Sequence, residues 1–201
     1  MGIKIYLNKQ GLYFSLRFFD FDLGFHINQY VFGVVRTIGV RNCVGSKRIT
    51  FLDYDETLFE EMLLPELRYL QEKYGLSDFY IFKSSQKPHA YHCINLDLLS
   101  IADWYAVLQD SSCDMAFQNI ARKDFKTAVL RIAPKGASNA PKFITKLKGV
   151  YDGRIKSLAH AKYLHFHQGV DISNINNLDD NHTLIYVNYA TMNFMKRKGE
   201  K

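Results

Sequence analysis

Cysteine, tryptophan and glutamate are scarce in this chain, and it has no long apolar run. The three cysteines, Cys43, Cys93 and Cys113, are odd in number and far apart. That spacing argues against a disulfide framework and against a CxxC zinc site. No apolar run approaches the ~20 residues that a membrane-spanning helix needs, so no membrane partner is expected. Met1 to Gln10 alternates polar and apolar residues, without the apolar core of a secretory signal. A reducing cytoplasm is therefore the expected compartment. There is also no internal repeat, low-complexity tract or long linker, which predicts one compact body for the 201 residues.

What is present is aromatic and basic. The chain holds 15 Phe and 13 Tyr and carries a formal charge of +6. Between Ile120 and His165 stand eleven Lys or Arg and two acids, Asp124 and Asp152, while glutamate is confined to Glu56–Glu72 and Glu200. A localised basic surface suits a polyanionic partner; it is equally what a solvated basic face looks like.

Hydrophobic periodicity divides the chain into three parts. Residues 1–47 read as a β-rich N-terminal module, dense in aromatic and β-branched residues. Within 48–142 the pattern predicts a strand at Arg48–Asp55, a helix at Thr57–Tyr74 stopped by Gly75, and strands at Asp78–Ser84 and Ala90–Leu96. A helix capped by Ser100 follows, with a further helical piece at Cys113–Ala121 and a strand at Phe125–Ala133. This β-α-β-β-α-β order is that of the ferredoxin-like, RRM-type unit. Residues 143–201 form a C-terminal extension: a short helix at Phe143–Leu147, a helix at Arg154–His167 and a strand at Thr183–Tyr189. The fold class is α+β, an RRM-like palm packed with a β-rich N-terminal module.

The end of the first palm strand, Asp53-Tyr54-Asp55, carries the densest chemistry. Strand side chains alternate, so both carboxylates are expected on one sheet face with Leu52 and Tyr54 on the other. Two adjacent carboxylates repel, and a hard divalent ion such as Mg²⁺ or Mn²⁺ relieves that repulsion. In the RRM-type order the first strand neighbours the third, which sets Asp53 and Asp55 opposite His92. The fourth strand flanks the first on its other side, which brings up Asp124 and Arg131. Carboxylates for a cation, with an imidazole and a guanidinium beside them, are the parts that hold a nucleoside triphosphate.

These residues in this order resemble the archaeo-eukaryotic primase superfamily. Asp53-Tyr-Asp55 is similar to its acidic first motif, and Ser84-Ser85-Gln-Lys-Pro-His-Ala-Tyr-His92 to its serine–histidine strand motif. Asp124 followed by Leu130-Arg131 and Lys142 is similar to its later acid before a basic strand. The resemblance implies that Asp53, Asp55 and Asp124 are catalytic and hold Mg²⁺ or Mn²⁺. It implies that Ser84, Ser85, His92 and Arg131 contact the nucleotide. The reaction implied is nucleotidyl transfer, a 3′-hydroxyl attacking an α-phosphate with pyrophosphate leaving, with nucleoside triphosphates and a nucleic-acid (DNA) template as partners. The flexible segment Gly136–Pro141 and its surroundings offer Lys135, Lys142 and Lys146 as backbone contacts. The serine-to-histidine spacing is longer than in the family, and Asp114 or Asp97 are alternatives to Asp124 as third acid.

Two other readings stand beside this one. His165-Phe-His167 followed by Tyr186 and Tyr189 resembles the rolling-circle HUH endonucleases, which bind a metal through two strand histidines and attack DNA with tyrosine. Against it, Leu158, Ala161, Tyr163, Leu164 and His167 have helical spacing, which sets the two histidines on different faces. The third reading is a non-catalytic RRM-like nucleic-acid-binding protein. His89, which follows Pro88 in a hairpin turn, is expected to be exposed.

Overall fold

The computed structural model describes residues 2–8, 11–18, 21–27, 30–85, 87–123, 127–134, 139–179 and 186–196, with side chains only within 39–179. It is α+β and every strand pairing is antiparallel. Strands β1 (Gly2–Asn8), β2 (Gly11–Phe18) and β3 (Phe21–Ile27) form a meander in the part predicted to be β-rich. Strand β4 (Tyr30–Arg41) leads from it to a two-residue strand, β5 (Cys43–Val44), and a tight turn at Gly45. Gly45 adopts φ 56°, the left-handed conformation that such hairpin turns require. The chain then enters β6 (Lys47–Tyr54), the strand that carries Asp53.

A five-stranded sheet surrounds β6. It adds β7 (Phe79–Lys83), β8 (Tyr91–Leu99) and β10 (Lys142–Leu147) in the order β10-β7-β8-β6-β5. A separate three-stranded sheet has the order β11-β4-β9, with β9 at Val129–Arg131 and β11 at Tyr186–Lys196. Side chains of β6 divide as a pleated strand requires. Leu52 and Tyr54 are buried on the face covered by helices α1 (Leu64–Tyr74) and α2 (Ile101–Asp110). There the Tyr54 hydroxyl donates to Glu66 of α1 at 2.8 Å. Leu67, Leu70, Trp104, Val107 and Leu108 complete this core. Helix α3 (Met115–Lys123) follows α2.

Phe51 and Asp53 face the opposite side. That side is partly roofed by α4 (Leu158–Gln168), whose His160 ring meets Phe51 edge-on at 5.9 Å. His160 is fixed by Ser157 Oγ at 2.7 Å and the Arg41 carbonyl at 2.9 Å.

Several expectations match: the helix stop at Gly75 (φ 59°), the Ser100 cap, which accepts from the Asp103 amide at 3.0 Å, and the inward packing of Tyr54. Others are corrected. Phe143–Leu147 is not a helix but strand β10, because pairing with β7 lets Phe143 pack on Phe82 at 5.5 Å while Lys142, Ile144 and Lys146 face outward. The helix expected from Arg154 begins only at Leu158, since Ser157 caps it and Lys156 bridges to Asp97 and Leu178. The helix expected from Thr57 opens with a π-turn at Phe59–Leu63 before α1 starts. Of the expected fourth palm strand Phe125–Ala133, residues 125 and 126 lie outside the described residues, and the described strand is β9, which pairs with β4 instead of β6. The place beside β6 is taken by β5, which arrives first along the chain through a short hairpin. The second, third and first palm strands do lie in the expected order, as β7-β8-β6. Of the expected strand Thr183–Tyr189, residues 183–185 lie outside the described residues, and β11 continues to Lys196. Among the described residues no helix is long and apolar enough to cross a membrane.

Candidate functional site

The pairing of β6 with β8 sets Asp53 directly opposite His92, and that of β7 with β8 sets Phe82 on the far side of His92. Asp53 Oδ1 lies 3.4 Å from His92 Nε2. The His92 side chain is 5% exposed and that of Asp53 33%, so the carboxylate reaches solvent in front of a buried imidazole. Burial and, second, the Arg131 guanidinium push the His92 pKa down to about 3. The contact with Asp53 is therefore one between a carboxylate and a neutral ring, and Nε2 is the nitrogen placed to carry the proton. The other nitrogen, Nδ1, is buried without a hydrogen-bond partner among the described residues.

Arg131, from β9, reaches across to the end of β7. Its guanidinium donates to the Ser84 carbonyl, and to the carbonyls of Ala133 and Asn139 at 2.9 Å each. Ser84 is buried and bonds through its amide to Ala90 at 3.1 Å, closing the turn that leads into β8. Asp53, His92, Ser84 and Arg131 thus converge from four separate segments, although Arg131 arrives from a different sheet than expected. The fourth strand need not pair with the first for its arginine to reach this place.

Asp55 differs from its expected position. Strand β6 ends at Tyr54, so the alternation that would align Asp55 with Asp53 stops one residue early. Glu56 (φ 59°) turns the chain, and the Thr57 amide donates to the His89 carbonyl at 2.9 Å, with His89 at φ 60°. Two non-glycine residues in the left-handed region face each other across this turn, a costly conformation that is enriched at functional sites. Asp55 is exposed at its tip, as is His89.

The remaining candidates scatter. Ser85 accepts from the Lys87 amide at 3.2 Å within the turn. Lys142 and Lys146 are exposed on the edge strand β10, and Lys146 Nζ pairs with Asp78 at 3.1 Å. Asp124 and Lys135 lie outside the described residues. Both alternative acids already accept hydrogen bonds. Asp114 Oδ1 accepts from the Phe117 amide at 2.8 Å, capping α3, and its own amide donates to the Asp53 carbonyl at 2.7 Å. Asp97 is fully buried, accepting from the Ser77 amide (2.7 Å) and hydroxyl (2.5 Å). Among the described residues no three His, Cys, Asp or Glu side chains gather as a metal-holding group.

His165 and His167 lie on helix α4, where their spacing puts them on different faces. His165 Nδ1 contacts the Val170 carbonyl at 3.1 Å, and His167 stacks on Tyr163 with centroids 5.4 Å apart. Tyr186 and Tyr189 belong to β11, opposite Val40 and Thr37; their side chains lie outside the described residues. Comparison with known proteins finds no matching family model, no matching curated protein and no matching solved structure.

Proposed function

We propose that the Asp53 end of the five-stranded sheet is a site for metal-assisted nucleotidyl transfer of the primase–polymerase kind. The observation that carries this reading is the convergence of Asp53, His92, Ser84 and Arg131, with the Asp53 carboxylate partly exposed 3.4 Å from the imidazole. Mg²⁺ is commonly held by one or two carboxylates together with waters and substrate phosphates, a role that Asp53 and the exposed Asp55 fit. Such an ion, when bound, supplies charge neutralisation at phosphate oxygens. His92 stands behind Asp53, holding its orientation through Nε2, and is a positioning residue. Arg131 fixes the Ser84 turn that borders the site. Lys142 and Lys146 on β10, with Lys135 and Asp124 assigned by sequence alone, extend the site toward a nucleic-acid backbone.

A second reading is favoured by one observation. The Arg131 guanidinium donates to three backbone carbonyls, and the neutral His92 ring faces Asp53, so these donors are directed into the protein. This arrangement suits an RRM-like nucleic-acid-binding protein without catalysis. Incorporation of labelled nucleotides on a primed template with Mn²⁺ separates the two. The first reading expects activity that falls at least about 100-fold in Asp53→Ala and Asp55→Ala, the scale of removing a group that stabilises transition-state charge. Absence of incorporation, with DNA binding intact in the same variants, establishes the binding reading instead.

A further inference from the structure

A second site lies on the same sheet face, one row from Asp53. There Tyr80 of β7 is flanked by Ile94 of β8 and Lys146 of β10. Segments 148–156 and 174–176 rise over this row and enclose a cavity of about 540 Å³. That volume falls within the ~300–1,000 Å³ typical of small-molecule pockets. Its carboxylates are already matched: Asp78 with Lys146 at 3.1 Å, and Asp152 with the buried Lys156 at 2.7 Å.

Two polar groups lining the cavity are not matched. Lys148 has no ion-pair partner among the described residues, and it leaves three ammonium groups against two carboxylates in the lining. Tyr80 is only 2% exposed, yet its hydroxyl makes no hydrogen bond among the described residues. A hydroxyl that has no protein partner and opens into a cavity is placed to bond a ligand there. Lys148 is also held in place through its backbone. Its carbonyl accepts from Arg68, the preceding carbonyl of Leu147 accepts from Gln71 at 3.2 Å, and the following amide of Gly149 donates to Asp78 at 2.8 Å. Leu96, Val150 and Ile175 give the lining its apolar part.

We propose that this cavity binds a small phosphate ester of about mononucleotide size, with Lys148 Nζ and the Tyr80 hydroxyl as its polar anchors. Lysine meets phosphate as a point charge, the hydroxyl donates to a second oxygen, and the apolar lining covers the organic part. The proposal does not depend on nucleotidyl transfer at Asp53.

Calorimetric titration of the full chain with adenosine 5′-monophosphate, adenosine and inorganic phosphate tests it, without added metal. The monophosphate binds, and Lys148→Gln weakens it about tenfold, the scale of one charge-assisted hydrogen bond. Tyr80→Phe weakens it several-fold, adenosine binds no more weakly to Lys148→Gln than to the parent, and Asp53→Ala leaves the monophosphate affinity unchanged. Thermal melts establish that each variant is folded. Equal binding by the parent and Lys148→Gln overturns the proposal, as does no binding at millimolar concentration. Inorganic phosphate binding as tightly as the ester removes the argument from size. Loss of binding in Asp53→Ala places the ligand at the other site.

Discussion

Two buried histidines give the chain a pH dependence with a definite sign. Burial and Arg131 lower the His92 pKa to about 3, and burial lowers that of His160 to about 4. An unfolded chain protonates both near the ordinary value of ~6.5. Between these limits the unfolded state binds protons that the folded state does not, so stability is full above ~6.5 and is lost as pH falls. At about 1.4 kcal/mol per pH unit for each ring, the two together cost roughly 4 kcal/mol by pH 5. That is a large part of a typical folding free energy of ~5–15 kcal/mol. Urea denaturation at pH 7.5 and pH 5 checks this, with the drop about halved in His160→Gln. Equal stability at the two pH values means that neither ring is held neutral. The same neutrality bears on function, because a ring that stays uncharged at pH 7 orients Asp53 without competing with a cation for it.

At the level of elements, Gly149 shows how closely the segment after β10 approaches the start of β7. A Cβ built there would sit 2.5 Å from the Ser77 carbonyl carbon, 2.7 Å from its oxygen and 2.8 Å from the Leu76 oxygen. All three are backbone atoms and cannot swing aside. Gly149→Ala is therefore expected to destabilise the chain by ~1–3 kcal/mol, the usual cost of overpacking, measured as a lower urea midpoint with unchanged slope. A substitution at Gly153, where nothing lies within 4 Å, serves as the control. This approach was not legible in the sequence, because Phe143–Leu147 also fits a helical turn and only the partner strand β7 decides between the two. The Ser100 cap, the Gly75 stop and the Asp53–His92 pairing were legible, since each follows from local pattern or from the period of a strand. The Tyr80–Lys148 cavity was not, since its walls come from segments about 70 and 95 residues apart along the chain.

For the whole molecule, the decisive junction is where the β11-β4-β9 sheet meets the five-stranded one, and sequence patterning missed it. The βαββαβ order places the fourth strand beside the first; instead the chain makes a polar joint at Asn42, between β4 and β5, in addition to the bond from Arg131 to the Ser84 carbonyl. Asn42 is fully buried and bonds in both directions. Its amide donates to the Ala128 carbonyl at 3.0 Å and its Oδ1 accepts from the Ala128 amide at 2.9 Å. On the other side its Nδ2 donates to the Ile49 carbonyl at 3.0 Å, and its carbonyl accepts from the Ile49 amide at 3.0 Å. One side chain thus satisfies a donor before β9 and an acceptor within β6, which a hydrophobic pattern cannot announce. Asn42→Ala strands both groups in the interior at ~1–3 kcal/mol each, so a loss of about 3 kcal/mol is expected in urea denaturation. Hydrogen exchange locates the cause. The Ala128 amide, whose acceptor is the Asn42 side chain, should lose protection. The Ile49 amide, whose acceptor is the Asn42 backbone, should lose less. Because β9 carries Arg131 to the Ser84 turn, the same substitution should loosen the residues around Asp53 without touching any of them. Equal exchange at Ala128 in the parent and the variant means that the Asn42 side chain does not hold the junction.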